Sequence, residues 1–206
     1  MLNIQSGSIR SPFDDPKVMP AAIEALSRAD AMGLLPAEIV RLDDTAMEGL
    51  ERGLLDAGIG RGLTAELRTA STTGPERLSA LLKKISEALT ESPVPEREWR
   101  AVERILGLES MAELMRISVS SARRYFAGTR TTPDAVAARL HFLAFVVGDL
   151  AGAYNDVGVR RWFHRPRKLL NGYAPAQLLD GDWGPDDDGP RQVRELAAAL
   201  GPSPVT

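Results

Sequence analysis

The sequence predicts an all-α protein, and three features carry that expectation. Apolar residues recur at helical spacing, as in Leu78, Leu81, Leu82, Ile85 and Leu89. Hydroxyl residues stand where helix N-caps belong, with Pro close behind, as at Thr73 before Pro75 and Thr132 before Pro133. Glycines fall just past apolar runs, at Gly33, Gly58 and Gly107, where helices stop. The 206 residues suit one large or two small domains, and 44% apolar residues are enough for a core.

Composition narrows the chemistry. There is no cysteine, so neither a disulfide framework nor a thiolate metal site is expected. With no apolar run of membrane length and no signal peptide, the expected location is the cytoplasm. The two histidines, His141 within an apolar helical run and His164 beside Arg165, argue against a metal site or a histidine-based triad. The spacing Gly58-x-Gly60-x-Gly62 is not read as a phosphate loop, because no strand precedes it and no Lys-Ser/Thr pair closes it. Catalytic residues, cofactors and metals are therefore not expected, and the chain is not read as an enzyme.

The net charge of −3 hides a division along the chain. Residues 1–98 hold 11 Lys/Arg against 16 Asp/Glu, residues 99–170 hold 12 against 6, and residues 171–206 hold 2 against 6. A central stretch of net +6 lies between acidic ends, as phosphate neutralisation would require of a nucleic-acid-binding segment.

Taken in order, residues 1–19 read as a flexible leader. Residues 20–92 read as a helical N-terminal domain of unknown role. Pro20 opens its first helix, with Ile23, Leu26 and Ala29 or Asp30 about a turn apart and Gly33 at the end. A short helix is expected at 36–42, then one at 44–57 capped by Asp43 or Asp44 and stopped by Gly58. The glycines around it should keep Leu63 to Leu67 irregular. Thr73 and Glu76 form a capping box for a helix to about Thr90, whose Leu/Ile stripe is core. No aromatic residue lies between Phe13 and Trp99.

Ser92-Pro93-Val94-Pro95 is the clearest boundary, and residues 96–155 follow as the second domain. Trp99, Val102, Ile105 and Leu106 make its first helix, ended by Gly107. The stretch Met111 to Arg130, MAELMRISVSSARRYFAGTR, then reads as two short helices around a turn. Ser110 and Glu113 stand at capping-box spacing, which starts a helix at Met111. Met111, Ala112, Leu114 and Met115 fall on one face, and Ala112 is small enough for a second helix to cross closely. The turn is Arg116-Ile117-Ser118. Ser118 or Ser120 caps the next helix, in which Ala122, Tyr125 and Phe126 face inward while Ser120, Ser121, Arg123 and Arg124 face out. Such a short cationic face suits a helix entering the major groove, where Arg bonds bidentately to guanine and serine hydroxyls reach phosphates or base edges. The alternative is an ordinary packed helix pair with a solvated Arg-Arg face.

These residues resemble the Xre-type, lambda-repressor-like helix-turn-helix. The order shared is a small residue, Glu, two apolar residues, a turn, Ile-Ser, Ser-Ser-Ala-Arg-Arg-Tyr and an Ala-Gly ending. The turn position that usually carries Gly is Arg116 here, so either the loop is remodelled or Arg116 contacts a phosphate. The resulting DNA-binding set is Ser120, Ser121, Arg123, Arg124, Arg130 and Arg116. Thr132 then caps a helix from Asp134 to about Tyr154 that is apolar nearly all round, should be buried on both sides, and is a candidate dimer interface.

Residues 156–206 carry a second resemblance. The segment RRWFHRPRKLLNGYAPAQLLDGDWG and the later VRELAAALG are similar to the C-terminal domain of the Xre/MbcA/ParS-like antitoxins. Trp162, Pro166, Leu170, Gly172, Pro175, Leu178, Leu179, Val193 and Leu196 match in order and approximate spacing. Independently, Gly172 ends one turn, Pro175 starts a helix, and Trp162, Leu178 and Leu179 supply a compact core. The basic run Arg165 to Lys168 and the acidic Asp186-Asp187-Asp188 depart from the usual pattern. The cations Arg160, Arg161, Arg165, Arg167 and Lys168 read equally as a second phosphate-contacting patch or as a solvated helix end. The acidic run reads as a solvated loop or as a counterpart to a basic cleft.

The two resemblances together imply a lambda-repressor-like helix-turn-helix domain joined to a small helical toxin-binding domain. The implied function is a DNA-binding antitoxin of a type II toxin-antitoxin system. It would neutralise a RES-type, NAD-degrading toxin by covering its active site and repress its own operon as a homodimer or higher oligomer. Arg161, Trp162, Arg165, Asn171, Tyr173, Asp186, Asp187 and Asp188 are the expected toxin contacts. Its partners are then double-stranded operator DNA and the toxin, with no membrane, and its location is the nucleoid when DNA-bound. The alternative is a stand-alone transcriptional regulator using the C-terminal domain for dimerisation or another protein partner.

Overall fold

The computed structural model describes residues 8–35, 41–70, 74–151 and 153–200. All regular structure in them is helical, apart from one isolated bridge between Ile9 and Leu42. The chain divides into two compact units, Met1–Pro93 and Val94–Val205.

The N-terminal unit consists of α1 (Met19–Ala31), α2 (Asp44–Ala57), α3 (Arg61–Ala70) and α4 (Pro75–Thr90). Helix α4 buries the whole stripe Leu78, Leu81, Leu82, Ile85 and Leu89. Against it packs α1, whose buried face is Ala21, Ala22, Ala25, Leu26 and Ala29 rather than one centred on Ile23. Small side chains let the two backbones approach, so shape rather than bulk makes this contact. Helix α2 takes the idea further: a Cβ added at Gly53 would lie 2.4 Å from the Leu34 carbonyl oxygen, so only glycine admits the approach. Asp43 caps α2 by accepting from the Ala46 N–H (3.2 Å), and Gly58 ends it at φ 71°.

Two expectations are corrected here. Residues 8–18 are not a loose leader: Phe13 is 1% exposed and Val18 fully buried. The Arg10 N–H donates to Leu42 O (3.0 Å), and the Leu42 N–H to Ser8 O (3.2 Å). The first aromatic ring of the chain is core material, which outweighs the loop-like composition around it. Likewise, residues 61–70 are helical rather than irregular, because Gly58 and Gly60 lie outside the helix and only Gly62 inside it. The expected helix at 36–42 falls largely on residues outside those described, as does the Thr73 cap.

The C-terminal unit runs through α5 (Pro95–Leu106), α6 (Leu108–Leu114), α7 (Val119–Phe126), α8 (Asp134–Ala151) and α9 (Asp156–His164). It continues with a 3-10 turn (Lys168–Leu170), α10 (Pro175–Leu178) and α11 (Asp188–Ala198). One core joins Trp99, Met111, Leu143, Trp162, Phe163, Trp183 and Val193, and so crosses the boundary expected at 155/156. Helix α8 is its axis, packed on α5, α9 and α11.

Helix α8 exposes only Asp134 and Ala135, and its Val136, Leu140, Leu143, Val147 and Leu150 belong to the core of this unit. It also ends at Ala151, short of Tyr154. The Thr132 hydroxyl accepts from the Trp99 indole N–H (3.0 Å), tying α5 to the start of α8. At the other end of the unit, Asp186 and Asp187 lie in the exposed loop before α11, and Asp188 begins that helix. Asp187 accepts from the Gly184 N–H (2.7 Å), and Asp188, paired with Arg191, lies in the first turn of α11, where negative charge suits the helix dipole.

Candidate nucleic-acid interface

Helices α6 and α7 form a pair around the turn 115–118. Gly107, at φ 77°, closes α5 and reverses the chain so tightly that α6 begins at Leu108. Ser110 therefore lies inside the first turn of α6 and is not its cap, a correction to the expected start at Met111. Met111, Ala112 and Leu114 are buried as expected. Ser118 caps α7, its hydroxyl accepting from the Ser121 N–H (3.1 Å), and Ala122 and Tyr125 are the buried side of that helix.

The opposite side of α7 carries the residues expected to read DNA. Ser120, Arg123 and Arg124 are exposed, while Ser121 is half-buried and takes part in the cap. Arg123 forms an ion pair with Glu109 of α6 at 3.3 Å, with both side chains largely in solvent. Arg130 lies beyond α7 with its guanidinium 5.5 Å from the centre of the Tyr125 ring. Five of the six expected residues thus lie on or just after one short helix.

Arg116 is the exception. Its backbone is left-handed, φ 57°, so the turn keeps the conformation usually given to glycine. Its side chain turns toward the C-terminal segment: Nε donates to Leu179 O (2.9 Å) and Nη2 pairs with Asp180 (2.7 Å). The guanidinium makes both bonds while the residue stays exposed, so Arg116 stands apart from the face that α7 presents. Glu109, Asp180 and Trp183 were not singled out from the sequence; the one available signal was the arginine in a glycine position.

The residues expected to meet a protein partner separate into surface and core. Arg161, Arg165, Asn171 and Tyr173 are exposed, with Asn171 left-handed at φ 54°. Trp162 is 1% exposed, edge-on to Phe163, and so belongs to the core and not to a contact surface. Asp186, Asp187 and Asp188 are all exposed; Asp187 accepts from the Gly184 N–H within the loop, and Asp188 pairs with Arg191 on α11. The basic cluster is also divided. Arg160 donates to Ile105 O and the Arg167 guanidinium lies 5.3 Å from the centre of the Trp162 ring, leaving Arg161, Arg165 and Lys168 on the surface. Leu169, 80% exposed, and Tyr173, 54% exposed, lie in the same stretch of chain; Leu169 adjoins Leu170, an ordinary core leucine, and no spacing separates the two in the sequence.

The two histidines are placed in hydrogen-bonded or solvated settings. His141 is buried against Glu98, and His164 lies half-exposed 4.0 Å from Glu113. Among the described residues no group of three or more His, Asp or Glu side chains is arranged to hold a metal ion. No single described helix is long and apolar enough to cross a membrane. Comparison of the chain with protein-family models, curated proteins and solved structures gives no match.

Proposed function

We propose that the protein binds double-stranded DNA through α7 and acts as a transcriptional regulator of its own operon. The observation that supports this reading is the joint exposure of Ser120, Arg123 and Arg124 on one side of a capped helix. Its other side is fixed by Ala122 and Tyr125, and it follows α6 across a left-handed turn. A helix anchored along one face and cationic along the other suits major-groove entry. The net +6 of residues 99–170 adds the phosphate attraction that such entry needs.

The test is binding of the DNA upstream of the protein's gene by fluorescence anisotropy across a salt series. Arg123→Ala with Arg124→Ala should weaken binding by about 1–3 kcal/mol for each base edge that either arginine reads, with relaxed preference at that base. Each phosphate deprived of its cation should lower the slope of log K against log salt by about 0.9. Unchanged affinity in the double variant would remove α7 as the reading helix.

A second reading, the antitoxin of a RES-type toxin, is favoured by the pair Leu169 and Tyr173. Two large apolar side chains in solvent, with Arg165 and Lys168 in the same stretch of chain, suit a protein partner better than a nucleic acid. Co-expression with the adjacent open reading frame tests it. Rescue of growth by the wild type, abolished in Leu169→Asp with Tyr173→Asp while DNA binding persists, is the expected result. Absence of toxicity and of a complex would leave the regulator alone.

A further inference from the structure

Helices α6 and α7 end in the same hydrogen-bond pattern with different residues at its centre. At the end of α6 the Ile117 N–H bonds to Ala112 O (3.0 Å) and the Arg116 N–H to Glu113 O (3.2 Å). At the end of α7 the Thr129 N–H bonds to Arg124 O (3.0 Å) and the Gly128 N–H to Tyr125 O (3.0 Å). This is the Schellman arrangement, which requires a left-handed residue after the helix. Gly128 meets the requirement at φ 67°, and Arg116 at φ 57°. An arginine there carries a conformational cost that glycine avoids, so what distinguishes the α6 end is the side chain.

That side chain enters a lattice of bonds from residues 179–183. Besides Leu179 O and Asp180, which hold Arg116, the Trp183 indole N–H donates to Leu114 O (3.0 Å). Arg139, buried in α8, donates from Nη1 to Met115 O (3.0 Å) and from Nε to Trp183 O (2.7 Å), and pairs with Asp182. The last two carbonyls before the turn, and the left-handed residue itself, are thus all gripped from one C-terminal loop, directly or through Arg139.

We infer that Arg116 is a positioning residue of the reading head. Through Leu179 and Asp180 it fixes the turn, and with it the direction in which α7 presents Arg123 and Arg124, and it does not itself neutralise a phosphate. The inference rests on the DNA-binding reading of α7 and adds the device that aims it. Its consequence is that the 179–183 loop, far along the chain from the reading helix, sets DNA affinity.

Two substitutions separate positioning from direct contact. Arg116→Lys keeps a cation for a phosphate but loses the planar fork that reaches a carbonyl and a carboxylate together. Asp180→Asn removes a negative charge, which by itself favours DNA, while weakening the tether. Positioning predicts that Arg116→Lys lowers affinity about tenfold and Asp180→Asn about threefold, both with the salt slope and the thermal midpoint of the free protein unchanged.

A phosphate contact predicts the reverse: Arg116→Lys near wild type, and Asp180→Asn equal or tighter. Either of those results overturns the inference, as does a slope reduced by about 0.9 in Arg116→Ala. The two levels of the reading fail differently. A wild type that binds no DNA overturns the function and this device with it, whereas wild-type binding with Asp180→Asn unaffected overturns the device alone.

Discussion

Among the described residues, the buried polar side chains of the N-terminal unit are Thr64, Ser79 and Ser86, whereas those of the C-terminal unit are Glu98, Arg139 and His141. Thr64 bonds to Arg61 O within its own helix (3.1 Å). The ionisable groups of the second unit reach across the sequence instead: Glu98 to His141, Arg139 to Met115, Trp183 and Asp182. Thr64, bonded within its own helix, and Ser86, whose hydroxyl has no partner among the described residues, leave tertiary structure to shape and apolar burial. A buried guanidinium must be satisfied, and the carbonyls that satisfy it define one register of loop on helix. The first unit is thus specified by fit and the second by fit plus directional bonds.

The largest expected effect breaks the fit. Phe13→Ala removes a fully buried ring from a unit otherwise packed with Leu and Ala, and should cost about 3–5 kcal/mol in urea denaturation followed by circular dichroism. A loss under about 1 kcal/mol would mean that the ring is not part of a close-packed core and that residues 8–18 are the loose leader their composition suggests.

A smaller effect tests the directional bonds. Arg139→Met keeps much of the side-chain volume but leaves Met115 O and Trp183 O without their donor, for about 2–3 kcal/mol. All three tryptophans lie in this unit, so tryptophan fluorescence reads its unfolding directly. A neutral result, as is seen when buried ions are exchanged for apolar groups elsewhere, would make the two units alike in being held by packing alone.

The contrast also decides what was legible in the sequence. The stripe on α4, the Asp43 and Ser118 caps and the Gly58 and Gly107 stops are local patterns, each fixed by residues within a turn of one another. Errors came where a contact far along the chain decided the outcome. Phe13 is core because of helices that follow it; the Ser110 error is the local exception, since Gly107, three residues earlier, had already reversed the chain. For the candidate interface, the exposed face of α7 followed from helical periodicity alone. The side chain of Arg116 did not, since its partners Leu179 and Asp180 lie more than sixty residues away and no periodicity marks them. Trp162 was assigned to a contact surface by resemblance, and its burial against Phe163 overrode that assignment.

The smallest effect sharpens the comparison by supplying charge without burial. Lys17 and Glu76 of the N-terminal unit meet at 2.6 Å, almost as far apart in sequence as Arg116 and Leu179, but their side chains are 65% and 71% exposed. The hydrogen bond from Lys17, with the N–H of its own backbone and the lysine charge, holds the Glu76 carboxyl below its ordinary pKa. The bond to Glu76 and its charge raise Lys17. For a lowered acid, the contribution exists above the unfolded value and fades as pH falls through the folded one. For a raised base, it exists below the unfolded value and fades as pH rises through the folded one. Any stabilisation is therefore confined between the acid range of Glu76 and the alkaline range of Lys17, and there water and salt screen it. Lys17→Met should leave the urea midpoint at neutral pH and physiological salt unchanged. A clear shift that disappeared at pH 3 and in high salt would show that an exposed ion pair specifies the first unit after all, and that burial is not what separates the two.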